Sequence, residues 1–294
     1  MKNLALNKKL CVVLVLLAGC FWGMTGFYVR LLSSYGISSA QIACIRNITA
    51  PVILLLIALV KYKGVPRIKK KSDIVLFAAS GLFSVFLTSI FYFATISKAS
   101  VSVACILMYT APVFVIVFSF FIFKEKISPK KLAAMIIAFI GCFFVSGVLG
   151  SGQKISFSAF MFGIGSGIAY ALYSIFSKLA INRGYSPFDA TLYSFIAAGI
   201  CSLFFADYPQ LFSLAAEHKE LIAFYLLTGL MASVVPFLLY TSGLSGLESG
   251  VASVISCSEP MVASLVSVFL LSEPMSGSGV FGIVLIIISI IILR

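Results

Sequence analysis

The stretch VISCSEPMVASLVSVFLL, Val254–Leu271, is apolar and long enough to cross a bilayer, yet it carries Glu259 near its middle. An ionised side chain at the centre of a membrane helix costs about 2.5–3.5 kcal/mol on insertion. The carboxylate therefore needs a partner or a function elsewhere in the fold.

Composition places the whole chain in a membrane. Of its 294 residues, 61% are hydrophobic and 10% are charged, whereas soluble domains have about 25% charged residues. Because the strand alternation of a membrane barrel is absent, we predict an all-α integral membrane protein. Ten apolar runs are candidates for spans: 10–30, 38–60, 74–96, 101–123, 131–149, 157–178, 188–206, 220–242, 250–271 and 277–293.

The first run resembles a lipoprotein signal sequence, since Lys8 and Lys9 precede an apolar core that ends in LLAGC at Leu16–Cys20. The apolar run continues past Cys20 through Trp22, however, and a matching helix recurs later in the chain. We therefore expect an uncleaved first span.

Metal and cofactor chemistry is not indicated. The seven cysteines fall inside predicted spans without CxxC spacing, so neither a disulfide framework nor a metal site is expected. The only histidine, His218, lies in a predicted loop and is interpreted as a solvated side chain. We predict no cofactor.

Sliding the chain against itself by 148 positions aligns many features without a gap. The matched pairs include Gly19 with Gly167, Trp22 with Tyr170, Gly36 with Gly184, Ser38 with Ser186, Gly81 with Gly229, Tyr92 with Tyr240, Pro112 with Pro260, and Glu125 with Glu273. The chain is therefore predicted to be a duplication, in which residues 1–148 and 149–294 each form a five-helix repeat of one membrane domain.

Since five is odd, the second repeat must enter the membrane from the opposite side. The basic segment KYKGVPRIKKK (61–71) corresponds to PQLFSLAAEHK (209–219), which has one lysine in place of six basic residues. KEKISPKK (124–131) corresponds to SEPMSGSG (272–279), which has none. Because basic residues concentrate in cytoplasmic loops, we predict inverted repeats with both termini cytoplasmic.

This topology also accounts for the net charge of +12. The basic loops would face the anionic inner leaflet, so no nucleic-acid partner is required.

At the ends of spans, Ser128 followed by Pro129 is typical of a helix N-terminus, and Glu125 and Glu273 are interpreted as residues that cap or anchor turns.

Several motifs together resemble the EamA branch of the drug/metabolite transporter superfamily. These are FWG at Phe21–Gly23, Arg46 early in the second span, Glu259–Pro260 in the ninth, and Glu273 at its end. The resemblance covers essentially the whole chain. It implies movement of a small metabolite, often export of amino acids or related compounds, through a central cavity lined by both repeats.

Inverted repeats suit alternating access, because a pseudo-two-fold axis in the membrane plane makes the inward-open and outward-open states near mirror images. We therefore expect a secondary transporter in the inner membrane, with membrane lipids and a small-molecule substrate as its partners. A monomer is sufficient for this mechanism.

Glu259 has Ala111 as its counterpart in the other repeat, and this asymmetry favours a role at a single site. A low dielectric favours the protonated form of a carboxylate, so Glu259 could exchange a coupling proton for a substrate. The alternative is a buried hydrogen bond, or an ion pair with Arg46, that fixes packing. Arg46 lies about 10 Å into its helix, and either snorkels to the surface or binds a substrate carboxylate.

Further candidates for the substrate site are aromatic residues with a polar tip, away from the span ends. They are Trp22, Tyr92, Tyr109, Tyr170, Tyr173 and Tyr240. Prolines free backbone carbonyls and bend helices, and those within spans are Pro51, Pro112, Pro236 and Pro260. Ser253, Ser256 and Ser258 near Glu259 either pack helices or add polar surface.

Other functions fit less well. An enzyme would need paired acids, a Ser–His arrangement or metal ligands, and only one acid lies in the apolar core. An ion channel would need a pore from symmetric subunits, which the internal duplication disfavours. A lipid or glycolipid flippase on the same scaffold remains the alternative function.

Overall fold

The computed structural model describes residues 7–148, 155–272 and 275–293, and within these ranges the regular structure is entirely helical. The α-helices are α1 (Lys8–Gly23), α2 (Thr25–Ser33), α3 (Ser39–Tyr62), α4 (Ser72–Ala79), α5 (Leu87–Lys98), α6 (Val101–Met108), α7 (Ala111–Phe123), α8 (Pro129–Val145), α9 (Phe157–Asn182), α10 (Pro187–Leu203), α11 (Tyr208–Glu217), α12 (Glu220–Gly229), α13 (Val235–Leu244), α14 (Ser249–Ile255), α15 (Ser258–Leu271) and α16 (Gly277–Leu293). Two π-helical segments, Ser80–Phe86 and Leu230–Val234, join α4 to α5 and α12 to α13. Glu273 lies outside the described residues.

Seven helical stretches of the described residues, several of which join two of these helices end to end, are long and apolar enough to cross a membrane. They are Lys8–Ser33, Ser39–Tyr62, Ser72–Lys98, Val101–Phe123, Phe157–Asn182, Glu220–Leu244 and Ser249–Leu270. An eighth is obtained if α10 and α11 count as one span, although they meet at 97°. The protein is thus a multi-pass membrane protein.

The sequence predicts ten spans, more than these seven or eight, because two of the predicted runs form shorter helices. The runs at 131–149 and 277–293 correspond to α8 and α16, which have 17 residues each. At 1.5 Å per residue such a helix is about 26 Å long, shorter than a typical hydrocarbon core of about 30 Å.

Serine residues are the N-caps of several helices, as expected from their positions before apolar runs. Ser38 accepts a hydrogen bond from the Gln41 backbone at the start of α3. Ser128 does the same for α8, with Pro129 at the first helical position, so that prediction is confirmed. Ser186 forms a reciprocal capping box with Asp189 at the start of α10.

Backbone features recur at the spacing of 148 residues. Gly36 and Gly184 have φ of 80° and 82°, and Lys124 and Ser272 have φ of 58° and 55°. Both π-helical segments lie at matching positions, and both α6–α7 and α14–α15 are interrupted at matching positions to within one residue. The two halves of the chain therefore follow similar local paths.

The prolines stand mostly at helix beginnings. Pro112 and Pro236 occupy the first turns of α7 and α13, and Pro260 occupies the first turn of α15. The first turn tolerates proline because its backbone N–H groups have no partner within the helix. By contrast, α3 continues as an α-helix through Pro51.

Two glycines allow the halves of the chain to cross closely. A Cβ at Gly19 would lie 2.1 Å from Ser258 Oγ, and one at Gly167 would lie 2.6 Å from Thr110 Oγ1. Thus α1 packs on the start of α15, while α9 packs on the junction of α6 and α7. The first of these crossings places the beginning of α15, with Glu259, against α1.

Candidate functional site

A cavity of about 360 Å³ is lined by residues of α1, α2, α3, α5, α6, α9, α13 and α15 and of the first π-helical segment. Its lining includes Ser39 and Val101, the first residues of α3 and α6, so it extends to the end of the bundle that carries the turns 34–38 and 99–100. We call this the open end. The opposite end carries segments 63–71 and 124–128 and is called the basic end.

Arg46 and Glu259 both line this cavity, from α3 and α15 respectively. Oε2 of Glu259 and Nε of Arg46 are buried and have no hydrogen-bond partner. Buried polar atoms are nearly always paired, so both groups point to a ligand or to water in the cavity.

The two charged side chains do not form a direct ion pair. Ion pairs among the described residues include Lys131–Glu248 and Arg183–Asp73, and no such pair within 4 Å joins Arg46 to Glu259. The ion pair that was one alternative for Glu259 is thus not formed in this conformation. Tyr109 and Tyr170 line the same cavity as Glu259.

Aromatic side chains close the cavity toward the basic end. The ring of Trp22 lies 5.1 Å from Phe237, 5.5 Å from Tyr240 and 6.0 Å from Tyr170. We call Trp22, Tyr173, Phe237 and Tyr240 the floor. Each floor residue is less than one-tenth exposed, so the floor separates the cavity from the basic end.

The floor tyrosines are held by hydroxyl partners. Tyr173 shares a hydrogen bond of 2.8 Å with Thr241, and Tyr240 shares one of 2.6 Å with Ser174. Higher in the cavity, Tyr92 lies 3.0 Å from the thiol of Cys105. These contacts fix ring positions, which leaves the aromatic faces as the surfaces that a ligand can meet.

All the aromatic candidates from the sequence, as well as Arg46 and Glu259, line the one cavity. Of the two repeat-related pairs, Trp22 and Tyr170 are in ring contact. Tyr92 and Tyr240 instead bond to different partners.

Sequence reasoning missed several lining residues, namely Thr25, Ser84, Thr88, Ser89, Cys105, Ser174 and Phe237. For all of these except Phe237, the signal was a hydroxyl or thiol inside an apolar run, whereas Phe237 gives no signal among 28 phenylalanines. That signal is weak, because small polar side chains in membrane helices also bond to their own backbone, as Thr88 does to Ser84.

Hydrogen bonds and ion pairs hold the basic end closed. Asp73, which is 2% exposed, accepts hydrogen bonds from Arg183 at 2.6 Å and from the Tyr185 hydroxyl at 2.7 Å. Burial and the hydrogen bond to Asp73 raise the pKa of Tyr185. Nearby, Lys178 donates to the carbonyls of Leu244 and Leu247 at 2.9 and 2.7 Å.

Metal ligands are not assembled in the part of the chain that the structure describes, where no three His, Cys, Asp or Glu side chains form a possible metal site. The seven cysteines are all free thiols. His218 is 46% exposed in its side chain and lies 3.5 Å from Glu220.

The chain is similar, over nearly its whole length, to proteins that are named as uncharacterized transporters. A protein of Archaeoglobus fulgidus named an uncharacterized transporter is 27% identical over 288 residues, covering 95% of this chain and 97% of that protein. The uncharacterized inner membrane transporter YicL of Salmonella typhimurium is 27% identical over 287 residues, covering 95% and 93%. One crystal structure matches with a TM-score of 0.77 at 17% identity, covering 97% of this chain and 96% of that one, which shows a shared fold.

The model of the EamA-like transporter family matches twice, at residues 9–147 and 157–294. Together these matches include nearly all of the sequence. The chain belongs to the EamA-like transporter family, and the protein is accordingly a membrane transporter and not an enzyme.

Proposed function

We propose that the protein is a secondary transporter that exports a small amino-bearing metabolite, an amino acid or an organic cation, by alternating access. The observation that carries the proposal is the partnerless Oε2 of Glu259 in a cavity of about 360 Å³. An ammonium group is the complement of a buried carboxylate, since it supplies both the counter-charge and hydrogen-bond donors.

The rings around Glu259 support a cationic substrate. Trp22, Tyr109 and Tyr170 line the cavity that contains Glu259, and the faces of their rings are electron-rich. A cation–π contact contributes roughly 0.5–2 kcal/mol, with tryptophan the strongest partner. An ammonium or quaternary ammonium would sit against Glu259 between these rings.

Arg46 distinguishes two versions of the proposal. Its guanidinium lines the same cavity with Nε unpaired, so it is available to a substrate carboxylate. In the first version the substrate is a zwitterion whose ammonium meets Glu259 and whose carboxylate meets Arg46. In the second, the substrate is a simple cation and Arg46 binds water. Both versions exclude purely anionic metabolites.

Proton coupling through Glu259 follows from the same geometry. When the cavity is empty, a proton can neutralise the buried carboxylate, and a substrate ammonium replaces that proton on binding. Exchange of one for the other at a single group would couple substrate efflux to proton entry.

The membrane arrangement that we propose has ten spans, with α8, α10 and α16 completing the seven long helices, in two inverted repeats of residues 1–148 and 149–294. Support comes from the double family match, from the backbone features spaced by 148 residues, and from the loss of basic residues between 61–71 and 209–219. On this basis the basic end and both termini are cytoplasmic, and the cavity opens to the outside. An inner-membrane location is supported by the printed name of the Salmonella typhimurium relative.

A ligand-stabilisation screen tests the substrate class. Purified protein is melted with amino acids, amines, quaternary ammonium compounds, dicarboxylates and sugar phosphates. A ligand at 100 times its Kd stabilises the folded state by about 2.7 kcal/mol. We expect amino-bearing compounds to raise the melting temperature of the wild type but not of Glu259→Gln, with Glu217→Gln as the matched control. Stabilisation by dicarboxylates alone would overturn the proposal, and phospholipid scrambling in proteoliposomes would favour a flippase.

A further inference from the structure

The chain turns sharply where α10 ends, at the open end of the bundle. Helix α11 (Tyr208–Glu217) follows at 97° to α10, and the span Glu220–Leu244 begins directly after it. A helix that meets its neighbour at nearly a right angle, next to the start of a span, is expected to lie roughly parallel to the membrane surface. The boundary between lipid and water is expected at the same level.

The turn before α11 is held by contacts with the first half of the chain. The Gln41 side chain, on α3, donates a hydrogen bond to the Phe205 carbonyl at 3.3 Å and accepts one from the Asp207 N–H at 2.8 Å. The Asp207 carboxylate caps α11 by accepting a hydrogen bond from the Gln210 backbone at 3.2 Å. Because these bonds satisfy backbone groups at the bend, the bend is a built feature of the fold and not a frayed helix end.

Two faces of α11 have different surroundings. Leu211 is 8% exposed and belongs to a buried cluster with Leu32 and Ile42, so one face packs on the body of the protein. Tyr208 and Phe212 stack on each other one turn apart, with ring centroids separated by 6.1 Å. Phe212 is 70% exposed, so this aromatic face is directed away from the described protein.

The third face of α11 is polar. Ser213 and Glu217, which are also one turn apart, are both exposed. An ionised carboxylate is costly in hydrocarbon, so this face must contact water. Separate apolar and polar faces are typical of a helix that lies in the membrane interface. Since α11 contains no lysine or arginine, its attraction to a membrane depends on the aromatic face and not on anionic lipids.

Exposed apolar side chains flank α11 on both sides along the chain. Phe204, at the end of α10, is 83% exposed, and Ile222, in the span Glu220–Leu244, is 55% exposed. The outer surface of a span contacts lipid, so the exposed residues of this span belong to the lipid-facing surface. The aromatic face of α11 continues that surface at the open end.

The corresponding segment of the first repeat has a different character. By the 148-residue spacing, α11 corresponds to residues 60–69, which include four basic residues in ten. That segment is irregular after α3 ends at Tyr62. The same place in the two repeats therefore carries cations at the basic end and an aromatic helix at the open end.

We infer that α11 is an interfacial helix that anchors the open end of the protein in a phospholipid leaflet, with Tyr208 and Phe212 at the boundary between headgroups and acyl chains. The apolar face of such a helix is buried by about 5–10 Å in this boundary. The partner is the lipid bilayer itself. Assignment to the outer leaflet rests on the proposed topology, whereas the depth of α11 does not.

Quenching of tryptophan fluorescence by lipids tests this placement. Full-length protein with Phe212→Trp is placed in phosphatidylcholine nanodiscs whose acyl chains are brominated either near the headgroup or near the chain end. Trp22 is the only native tryptophan, so the wild type gives the emission to be subtracted. Because the aromatic face lies at a shallow depth, we expect bromine near the headgroup to quench about twice as strongly as bromine near the chain end.

Ser213→Trp is the matched control, because adjacent side chains on a helix project about 100° apart. Its emission should be quenched by iodide in water and little by either brominated lipid, whereas Phe212→Trp should be protected from iodide. Stronger quenching of Phe212→Trp by chain-end bromine would show a re-entrant helix. Quenching by iodide would place the aromatic face in water, and protection from all three quenchers would show a covering protein or a second copy. Each of these results would overturn the inference.

Phe204→Trp provides an independent probe if the Phe212 variant does not fold, and it should show the same preference for bromine near the headgroup. No substrate is present, and the two leaflets of the nanodisc are alike. The result therefore does not depend on the proposed substrate class or on the proposed topology, so a failure of either can be distinguished from a failure of this inference.

Discussion

Arg46 and Glu259 face one cavity from opposite halves of the chain and do not form an ion pair with each other within the described residues. Each keeps a buried atom without a partner. Removing one member of a buried pair leaves an uncompensated charge, whereas here the two groups are already separated by the cavity. Their substitution should therefore affect transport more than folding.

Glu259→Gln keeps the shape of the side chain and removes its titratable charge. We expect transport to fall severely while folded protein still accumulates, because the amide cannot neutralise an ammonium group or carry a proton. Uptake into inside-out vesicles with a pH gradient measures this. Glu217→Gln, at an exposed position, should transport normally. Normal transport by Glu259→Gln across neutral pH would exclude the carboxylate as the coupling group.

Arg46→Gln separates a zwitterionic from a cationic substrate. If the guanidinium binds the substrate carboxylate, amino-acid transport should be abolished while transport of a simple amine persists. The two substrates are compared in the same proteoliposomes, so that a loss of both would indicate misfolding and not selectivity. Efficient transport of a dicarboxylate by the wild type would contradict both versions.

The proposed topology predicts opposite exposure of two repeat-related segments. A cysteine at exposed Lys70 should be protected from an impermeant maleimide in intact cells, and one at exposed Ser213 should react. Both are placed on a background without native cysteines. The reverse labelling would refute the inverted arrangement.

Gly19→Ala and Gly167→Ala should each destabilise the protein by about 1–3 kcal/mol, because the added methyl group meets Ser258 or Thr110 at less than contact distance. Gly26→Ala is the control, since a methyl group added there would meet no atom within 4 Å. Alanine also favours a helix over glycine, so that variant should melt at or above the wild-type temperature. Melting in detergent distinguishes these outcomes.

Tyr185→Phe should lower the melting temperature by removing a donor from buried Asp73, and more so than Tyr208→Phe, whose hydroxyl bonds to an exposed carbonyl. The raised pKa of Tyr185 means that its folded form holds the proton more tightly than the unfolded chain. Its contribution is therefore complete below the unfolded tyrosine pKa of about 10 and is lost as pH rises further. The phenylalanine variant should lack that alkaline decline.

What the sequence determined by itself is the class of protein, the approximate span positions and the internal spacing. Insertion into lipid depends on local composition, so runs such as 38–60 and 101–123 reappear as Ser39–Tyr62 and Val101–Phe123. Caps such as Ser128 also depend only on neighbouring residues. The lone carboxylate of Glu259 pointed to a site because its cost in lipid is independent of its partners.

Which helix faces contact one another was decided by the tertiary structure alone. Helical periodicity does not say that Glu125 caps a helix beginning at Ser249, because that contact depends on the packing of distant segments. Packing also bends the chain after α10, so that part of the segment predicted as a loop at 209–219 forms α11 at 97° to its neighbour. The cavity likewise arises from helix packing, which separates the helices at one end of the bundle and brings them together at the other. A transporter's sequence must be compatible with both the open and the closed packing of each end of the bundle. Which packing is formed can therefore be seen only in a folded conformation.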